Sequence, residues 1–393
     1  MKKFLVFIIA LTMLSGCGVS DYNALVNASL SKSPSAALKV FAKNKSIQYA
    51  QNPKQLTRDI DTLDKHVFKA LLTLIKSASG DWGEENVRVP KKKEYVKYMQ
   101  NYKSRALVDF DKGIVTVETL DSNNTQQSLK NAIVTTLLLP DDPRSADLFG
   151  AKEVKLGATP YLYGEVKDDQ NEPIRYAWRA NRYADVLVSK NYQVKEILKG
   201  GKPLKVHYVT MPMVKDHSDV RVAKFKPYVR QYAKKFNVSE NLIYAIMQTE
   251  SNFNQYAVSN AGAFGLMQIV PTSAGKDAYK FAKGKSVTPS KSYLFNAQNN
   301  IELGVAYIHI IGDKYLPGIK DPVSKEYCVI SAYNTGSGNV LRTFHKDREK
   351  AQEQINAMTA SMIYKKLRTE LPYEETRRYL KKVIDYKKEF VNL

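Results

Sequence analysis

The sequence predicts an α+β domain followed by an all-α domain. From residue 57 to residue 215, segments with a helical repeat of apolar residues alternate with short runs of β-branched residues. After Lys215 the β-branched runs end, and segments with a helical repeat follow one another to the C-terminus. The length of 393 residues also exceeds what one hydrophobic core usually organises. We therefore place the α+β domain over 56–219 and the all-α domain over 220–393.

The first 16 residues have the organisation of an export signal. Two lysines precede the apolar run Phe4–Met13, which is too short to span a bilayer. Leu-Ser-Gly-Cys at positions 14–17 resembles the lipobox of bacterial lipoproteins, in which the cysteine is acylated and begins the mature protein. This resemblance predicts a signal peptide over 1–16 and a lipid anchor on Cys17 that holds the chain on a membrane. Because the next residue is Gly and not Asp, it also predicts the periplasmic side of the outer membrane.

The segment 17–55 is predicted to be a tether between the anchor and the first domain. It is rich in Ser, Asn, Lys and Ala and has little periodicity, apart from one short predicted helix over Ser35–Lys43. A clear helical repeat begins at Thr57 and ends at Gly80. The charged segment Lys91–Tyr98 is interpreted as a solvated approach to the next element.

The rest of the first domain is predicted to mix strands with one helix. Gly113–Leu120 is rich in β-branched residues, which favours a strand. A helix is predicted over Gln126–Leu138 because the apolar repeat stops there and Pro140 would end it. Further strands are predicted over Tyr161–Val166, Ala184–Val188 and Leu204–Met213.

Six helices are predicted in the second domain. We place Pro227 in the first turn of a helix, where proline is tolerated. Ser239 is predicted to be the N-cap of the helix Glu240–Glu250, which has an acid in its first turn. The later helices are predicted over Asn300–Lys314, Val323–Tyr333, Glu349–Arg368 and Glu374–Tyr386.

The composition restricts the partners and cofactors that we expect. The chain carries 60 basic and 39 acidic residues, so its net charge of +21 favours polyanionic partners. The basic residues are spread along the chain and form no compact run with interleaved aromatic residues, so no nucleic-acid site is predicted. Two cysteines and five histidines without metal-ligand spacing predict no disulfide framework, no metal site and no cofactor.

Glu250 is the candidate for the chemical centre. Ile243, Ile246 and Met247 lie seven, four and three residues before it and share its helix face, so its carboxylate is expected to point where the apolar residues point. Burial and the negative end of the helix dipole both raise the pKa of a carboxyl, which makes it a usable proton donor near neutral pH. The alternative from spacing alone is an ordinary acid at a helix end that turns into solvent.

The residues that follow Glu250 and a second motif favour a ligand site. Gly262 and Gly265 allow the backbone to approach a ligand closely, and Gln268 offers a neutral donor and acceptor of the kind that sugar hydroxyls and acetamido groups require. Tyr333 and Asn334 lie at a predicted helix end, before two further glycines.

The motifs of the second domain resemble those of the lytic transglycosylases of the soluble-lytic-transglycosylase type, which have a lysozyme-like fold. Four blocks occur in the family order, over roughly residues 225–390. They are Glu250-Ser-x-Phe through Gly262-Ala-x-Gly-Leu-Met-Gln268, Phe295-Asn-Ala-Gln-Asn-Asn-Ile301, Ala332-Tyr-Asn-x-Gly-x-Gly-x-Val340, and Leu371-Pro-x-x-Glu375-Thr376-x-x-Tyr379. Asn296 departs from the family, where an Asp is common. The lipobox and the α+β domain resemble the membrane-bound branch of this family.

The resemblance implies a reaction. The family cleaves the bond from N-acetylmuramic acid to N-acetylglucosamine in peptidoglycan glycan strands without water. By this resemblance Glu250 protonates the glycosidic oxygen and then, as a carboxylate, deprotonates the C6 hydroxyl, which closes a 1,6-anhydro ring. We find no second acid between Glu250 and Gln268. A hydrolase of the same fold, or an inactive murein-binding assembly lipoprotein, are the other functions that remain open.

The resemblance also implies a set of substrate-binding residues around Glu250. They are Ser259, Gly265, Met267, Gln268, Tyr333, Asn334, Glu375 and Tyr379. For Met267 we favour packing over contact with the sugar. Glu375 is the candidate for a second acid from distant sequence; the resemblance implies a site-shaping residue, and a structural role stays open. The expected partners are the glycan strands and, through the anchor, a membrane; no protein partner is predicted.

Overall fold

The structure is a computed structural model that describes residues 65–142, 150–157, 159–259 and 262–391, with the side chains of residues 65–72 left out. The predicted signal peptide, the anchor at Cys17, the tether and the helix over Ser35–Lys43 lie outside the described residues. Within the described ranges, no helix is both long enough and apolar enough to cross a membrane.

The N-terminal region is built on an antiparallel sheet of five strands. In chain order the strands are β1 (Glu94–Met99), β2 (Ser104–Asp109), β3 (Ile114–Thr119), β4 (Gln193–Lys199) and β5 (Lys202–Pro212). Their order in the sheet is β1-β2-β3-β5-β4, and every neighbouring pair is antiparallel. In β3 and β5, alternate residues such as Val115, Val117, Val209 and Met211 are completely buried, as expected of a sheet that packs one face on a core.

Three helices accompany the sheet, namely α1 (Lys65–Trp82), α2 (Thr125–Leu137) and α3 (Ala177–Lys190). Helix α2 packs against β2 and β3 and also against α3. Leu129 and Ile133, one turn apart on α2, are fully buried. Trp82 ends α1 in the core, where its indole Nε1 donates a hydrogen bond to the carbonyl oxygen of Tyr102 at 2.7 Å.

Several predictions for this region were wrong. Tyr161–Val166 forms turns with one isolated bridge, between Tyr163 and Val166, and is not a strand. Ala184–Val188 lies inside α3, because Ala180, Ala184 and Leu187 recur at helical spacing and bury one face of that helix. The segment predicted to be a solvated approach, Lys91–Tyr98, overlaps β1 from Glu94 onward, and the last five residues of β1 are buried.

The described residues of the C-terminal region form helices joined by turns, with isolated bridges from Phe264 to Val258 and Ile269, and the α-helices bury their apolar faces against one another. In chain order they are α4 (His217–Phe236), α5 (Glu240–Ser251), α6 (Lys276–Lys283), α7 (Lys291–Phe295), α8 (Ala297–Ile310), α9 (Pro322–Thr335), α10 (Ser337–Phe344), α11 (Arg348–Asn356), α12 (Ala360–Glu370) and α13 (Glu374–Glu389). Helix α8 is central, and its Ile301, Leu303 and Val305 are completely buried. Helix α13 packs against both α5 and α9. An α+β region followed by a helical region is thus confirmed.

Two helix predictions in this region were wrong in their ends. Pro227 does not begin a helix but lies inside α4, which starts ten residues earlier at His217. The predicted helix Glu349–Arg368 is two helices, because Thr359 caps α12 by accepting a hydrogen bond from the Met362 amide at 3.3 Å. Since α4 runs across residue 220, the domain boundary placed there stays a prediction.

An aromatic cluster and buried polar contacts join the two regions. The Tyr161 ring of the N-terminal region meets the Tyr256 ring edge-on, with ring centroids 4.8 Å apart. Tyr95 and Phe295 extend the cluster on either side of Tyr256, at 5.8 Å and 5.6 Å between ring centroids. The Tyr161 hydroxyl also donates a hydrogen bond to Asn254 Oδ1 at 2.9 Å. The segment that follows α5 is therefore held from the side of the N-terminal region.

Candidate active site

Glu250 is the second-to-last residue of α5 and is buried, with only 5% of its surface exposed. Ile243, Ile246 and Met247 on the same helix face are completely buried. The expectation that the carboxylate points into the domain is confirmed, and the alternative of an acid turned into solvent is wrong. A carboxyl in this position can exchange a proton with a bound ligand in a site that is largely shielded from water.

Lys92 of the N-terminal region is the ion-pair partner of Glu250. Its Nζ lies 3.1 Å from Glu250 Oε2, and its side chain is 39% exposed while that of Glu250 is 6% exposed. Sequence reasoning missed Lys92, because nothing in the pattern of residues 91–98 indicates which distant acid a lysine will meet.

Two tyrosines face Glu250 from neighbouring helices: Tyr333 is partly buried and Tyr379 is buried. Burial, and then the negative charge of Glu250, raise the pKa of Tyr333 on α9 well above its ordinary value. The same two causes raise the pKa of Tyr379 on α13. The buried Tyr379 hydroxyl also lies within hydrogen-bond reach of the Glu250 carboxylate, which raises the pKa of Tyr379 further. Both phenols are therefore neutral near pH 7.

The segment directly after α5 takes a sharp turn that the N-terminal region stabilises. Asn252 and Phe253 have positive φ angles of 50° and 58°, which non-glycine residues adopt rarely. Asn252 Nδ2 donates to the carbonyl oxygen of Phe110 at 3.0 Å, and Asn254 Nδ2 donates to that of Lys92 at 3.1 Å. These side-chain contacts offset the cost of the unusual backbone and fix the end of the helix that carries Glu250.

The turn Phe264–Gln268 lies against Glu250 through its neighbour Ser251. Ser251 Oγ donates to the carbonyl oxygen of Leu266 at 2.7 Å, and the Tyr333 hydroxyl donates to that of Met267, also at 2.7 Å. Gly265 has a φ of +75°, a conformation that glycine adopts without steric cost. The backbone of this turn is thus tied to α5 and to α9, the two helices that bring Glu250 and Tyr333 together.

Asn300 is a further residue of the site that sequence reasoning did not select. It is completely buried on α8, and its Nδ2 donates to the carbonyl oxygens of Phe264 and Leu294, both at 2.8 Å. Its Oδ1 accepts a hydrogen bond from the Met267 amide at 2.8 Å. A signal was present, since Asn300 is a polar residue in a helix whose neighbours Ile301, Leu303 and Val305 are apolar.

The other residues predicted to bind substrate occupy different kinds of position. Gln268 Nε2 donates to the carbonyl oxygen of Gly265 at 2.9 Å, while its Oε1 is buried without a partner among the described residues. Ser259 is 8% exposed and its Oγ accepts a hydrogen bond from the Ala263 amide at 3.0 Å. Met267 is completely buried, and a Cβ at Gly304 would lie 2.3 Å from its sulfur. The Met267 side chain is therefore in packing contact with α8.

The last two predicted residues lie where α9 meets α13. Asn334 Oδ1 accepts a hydrogen bond from Thr376 Oγ1 at 2.6 Å, which ties the C-terminal end of α9 to the start of α13. Glu375, the residue before Thr376, is exposed, and its negative charge acts on both Lys92 and Tyr379. Glu250, Tyr333, Tyr379 and Glu375 thus belong to one electrostatic neighbourhood. No group of three or more potential metal ligands is found among the described residues.

The comparisons with known proteins first identify the class of protein to which the helical region belongs. Residues 227–356 match the family model described as the transglycosylase SLT domain. Among solved structures, the chain is similar to the 70 kDa soluble lytic transglycosylase from Escherichia coli. The identity is 25% and the TM-score is 0.33, and the similarity covers 42% of this chain and 23% of that chain. The helical region with the buried acid is the lysozyme-like domain of a lytic murein transglycosylase, a lyase that acts on peptidoglycan.

The N-terminal region defines the family within that class. Residues 24–224 match the family model described as the N-terminal domain of membrane-bound lytic murein transglycosylase C. Proteins of that name from Yersinia pestis (strain Pestoides F) and Yersinia pseudotuberculosis serotype O:1b (strain IP 31758) are each 42% identical over 341 residues, which cover 86% of this chain and 94% of theirs. The chain belongs to the membrane-bound lytic murein transglycosylase C family.

Proposed function

We propose that the enzyme cleaves the β-1,4 bond between N-acetylmuramic acid and N-acetylglucosamine without water, with Glu250 acting first as the acid and then as the base. The observation that carries this proposal is the buried Glu250 carboxyl at the end of α5, flanked by the partly buried Tyr333 and the buried Tyr379. Burial disfavours the charged form of a carboxyl, which helps a buried acid to carry the proton that it must donate.

The proposed reaction has two proton transfers. Protonated Glu250 gives its proton to the glycosidic oxygen as the bond from C1 to that oxygen breaks. The acetamido carbonyl of the muramic acid stabilises the positive charge at C1. The Glu250 carboxylate then accepts the proton of the C6 hydroxyl while O6 bonds to C1, which closes the 1,6-anhydro ring and restores the acid. One carboxyl suffices, whereas glycosidases in general use two.

The substrate-binding residues are proposed from their matches to the family motifs. Gln268 supports this role, since its buried Oε1 has no partner among the described residues and can accept a hydrogen bond from a sugar. Tyr379 offers a buried hydroxyl next to Glu250. The remaining proposed contacts come from Ser259, the backbone at Gly265 and Met267, Tyr333, Asn334 and Glu375.

Two measurements test the reaction and the role of Glu250. Mass spectrometry of products from purified sacculi should find 1,6-anhydro ends; reducing muramic acid ends would establish the hydrolase instead. Glu250→Gln should keep the fold and the binding of sacculi but lose cleavage, since an amide cannot donate and then accept a proton. Glu374→Gln is the matched control, because Glu374 is an exposed acid that pairs with Arg378 and has no proposed role in the site, and this variant should retain cleavage. Wild-type protein that binds sacculi without releasing any product would favour the inactive assembly lipoprotein.

We further propose that the chain is a lipoprotein with a signal peptide over 1–16, an acylated Cys17 and a tether over 17–55, anchored on the periplasmic side of the outer membrane. The lipobox sequence supports this proposal, and the relatives are named membrane-bound. Cys17→Ala should move the protein from the detergent phase to the aqueous phase in a phase-partition experiment. Retention in the detergent phase would argue against acylation of Cys17.

A further inference from the structure

The N-terminal region supplies a charged side chain to the catalytic carboxyl. Lys92 lies just before β1, whereas Glu250 lies 158 positions later on α5. The Lys92 Nζ and Glu250 Oε2 atoms are 3.1 Å apart, which is within hydrogen-bond distance. An ion pair of which one partner is buried is stronger than a surface pair, because solvent screens it less.

The backbone around Lys92 is fixed on both sides of this contact. The Lys92 carbonyl oxygen accepts a hydrogen bond from Asn254 Nδ2 of the helical region at 3.1 Å. The next carbonyl oxygen, that of Lys93, accepts one from the Phe110 amide at 3.1 Å. The backbone that carries the Lys92 ammonium is thus held by Asn254, four residues after Glu250 in the chain. The contact between Lys92 and Glu250 therefore does not depend on a free loop.

Four groups from three elements bear on Glu250 or on its partner. They are Lys92 before β1, Tyr333 on α9, and Glu375 and Tyr379 on α13. Of these four, Lys92 carries a positive charge, Glu375 a negative charge, and the two tyrosines none. Burial lowers the pKa of Lys92, but the charge and hydrogen bond of Glu250 and the charge of Glu375 together outweigh burial, so the net effect is a raised pKa and Lys92 carries its positive charge at neutral pH.

We propose that Lys92 is a positioning residue for Glu250: its ammonium orients the carboxylate and favours its ionised form, so that the N-terminal domain sets the pH range in which Glu250 can act. This inference rests on the proposed role of Glu250 as proton donor. In the free enzyme the ion pair opposes protonation of Glu250. After the proton has left for the glycosidic oxygen, the same ammonium stabilises the carboxylate that takes the proton of the C6 hydroxyl.

The pH dependence of kcat/KM tests this role. Activity requires protonated Glu250, so it falls on the alkaline side as Glu250 ionises. Removing the neighbouring cation in Lys92→Met should move this alkaline limb to higher pH by about one unit. The reason is that an opposite charge within about 4–6 Å lowers the pKa of a carboxyl by roughly 1–3. Lys92→Arg should restore the wild-type limb, because the charge is kept. The assay would use uncrosslinked glycan strands as the substrate, at both saturating and limiting concentrations.

A neighbouring lysine provides the matched control. Lys91 pairs with Glu94 at 3.3 Å and is 57% exposed, so Lys91→Met removes the same charge from the same segment without touching Glu250. Its alkaline limb should coincide with that of the wild type. A purely structural role of Lys92 would lower kcat at every pH and leave the limb in place. Lys92→Gln, which keeps a polar side chain, repeats the test should Lys92→Met fail to fold.

The outcomes separate this inference from the proposed function. If Glu250→Gln is inactive and the limbs of Lys92→Met and Lys92→Gln coincide with that of the wild type, Glu250 is the acid and the proposal for Lys92 is wrong. If Glu250→Gln remains active, the proposed function itself fails, whatever the lysine variants do. An equal upward shift in Lys91→Met would also overturn the proposal, because it would reflect the overall charge and not the contact.

Discussion

Gly265→Ala tests whether the turn beside Glu250 requires a residue without a side chain at position 265. Gly265 has a φ of +75°, and a Cβ added there would lie 2.3 Å from Asn300 Nδ2 and 2.5 Å from the carbonyl oxygen of Leu294. Both distances are far below van der Waals contact, and one of the two atoms belongs to the backbone. The alanine therefore has to displace the buried Asn300 side chain or the turn itself.

The size of the effect follows from what Asn300 holds. Its side chain makes three hydrogen bonds, to the carbonyl oxygens of Phe264 and Leu294 and from the amide of Met267. Each contributes about 1 kcal/mol net, and the left-handed backbone costs an alanine about another 1 kcal/mol. We expect Gly265→Ala to lower the free energy of unfolding by about 4 kcal/mol, as measured by urea denaturation.

Gly284→Ala is the control, because it shares the backbone conformation without the clash. Gly284 has a φ of +71°, and a Cβ there would meet no atom within 4 Å. This variant should lose only about 1 kcal/mol, the cost of the left-handed conformation. The effect of alanine on the unfolded chain cancels between the two variants. Equal losses for both would refute the argument that Asn300 and the turn require a glycine at residue 265.

Two further predictions concern buried polar groups. Asp168 accepts hydrogen bonds from Arg179 and Arg182, both at 2.6 Å. Burial raises the pKa of Asp168, but hydrogen bonding outweighs burial and lowers this pKa from 3.8 to about 2. Because the folded pKa is the lower one, Asp168 contributes about 2 kcal/mol that is complete above pH 4 and is lost as the pH falls through 2. Asp168→Asn should therefore be destabilised at pH 7 in urea titrations, with a gap to wild type that narrows below pH 4; a constant gap would contradict this. Tyr333→Phe should lower the free energy of unfolding by about 1–2 kcal/mol, because the Met267 carbonyl oxygen loses its donor at 2.7 Å; no loss in thermal or urea unfolding would show that the bond is dispensable.

The helices of the site were predictable because their pattern is local. The predicted helix Glu240–Glu250 differs from α5 by one residue at its end, and its apolar face is the buried one. By contrast, β4 was missed because most of its residues are exposed and no alternation marks it. The strand predicted over Ala184–Val188 failed because a five-residue window fits both periods, and only the longer repeat from Ala180 identifies a helix.

The contacts that complete the site were not predictable, because they join residues that are distant in sequence. The motif indicated Glu250, Gly265 and Gln268, but the hydrogen-bond partners that hold the turn come from α8 and α9. Lys92 is one of three consecutive lysines, and its neighbours pair with Glu94 and Asp111 instead. Which of the three reaches Glu250 depends on how the two regions pack, and no single-sequence pattern carries that information.

The packing of the two regions is itself costly to undo, so the N-terminal region and the helix that carries Glu250 form one structural unit. The ion pair between Arg221 of α4 and Glu165, at 2.6 Å, is buried on both sides. Separating such a pair leaves a charge without its partner, which typically costs several kcal/mol. Arg221 Nη1 also donates to the carbonyl oxygen of Asn252, two residues after Glu250. The same buried arginine thus joins the regions and stabilises the end of α5, so whatever keeps Lys92 near Glu250 also fixes the helix that carries it.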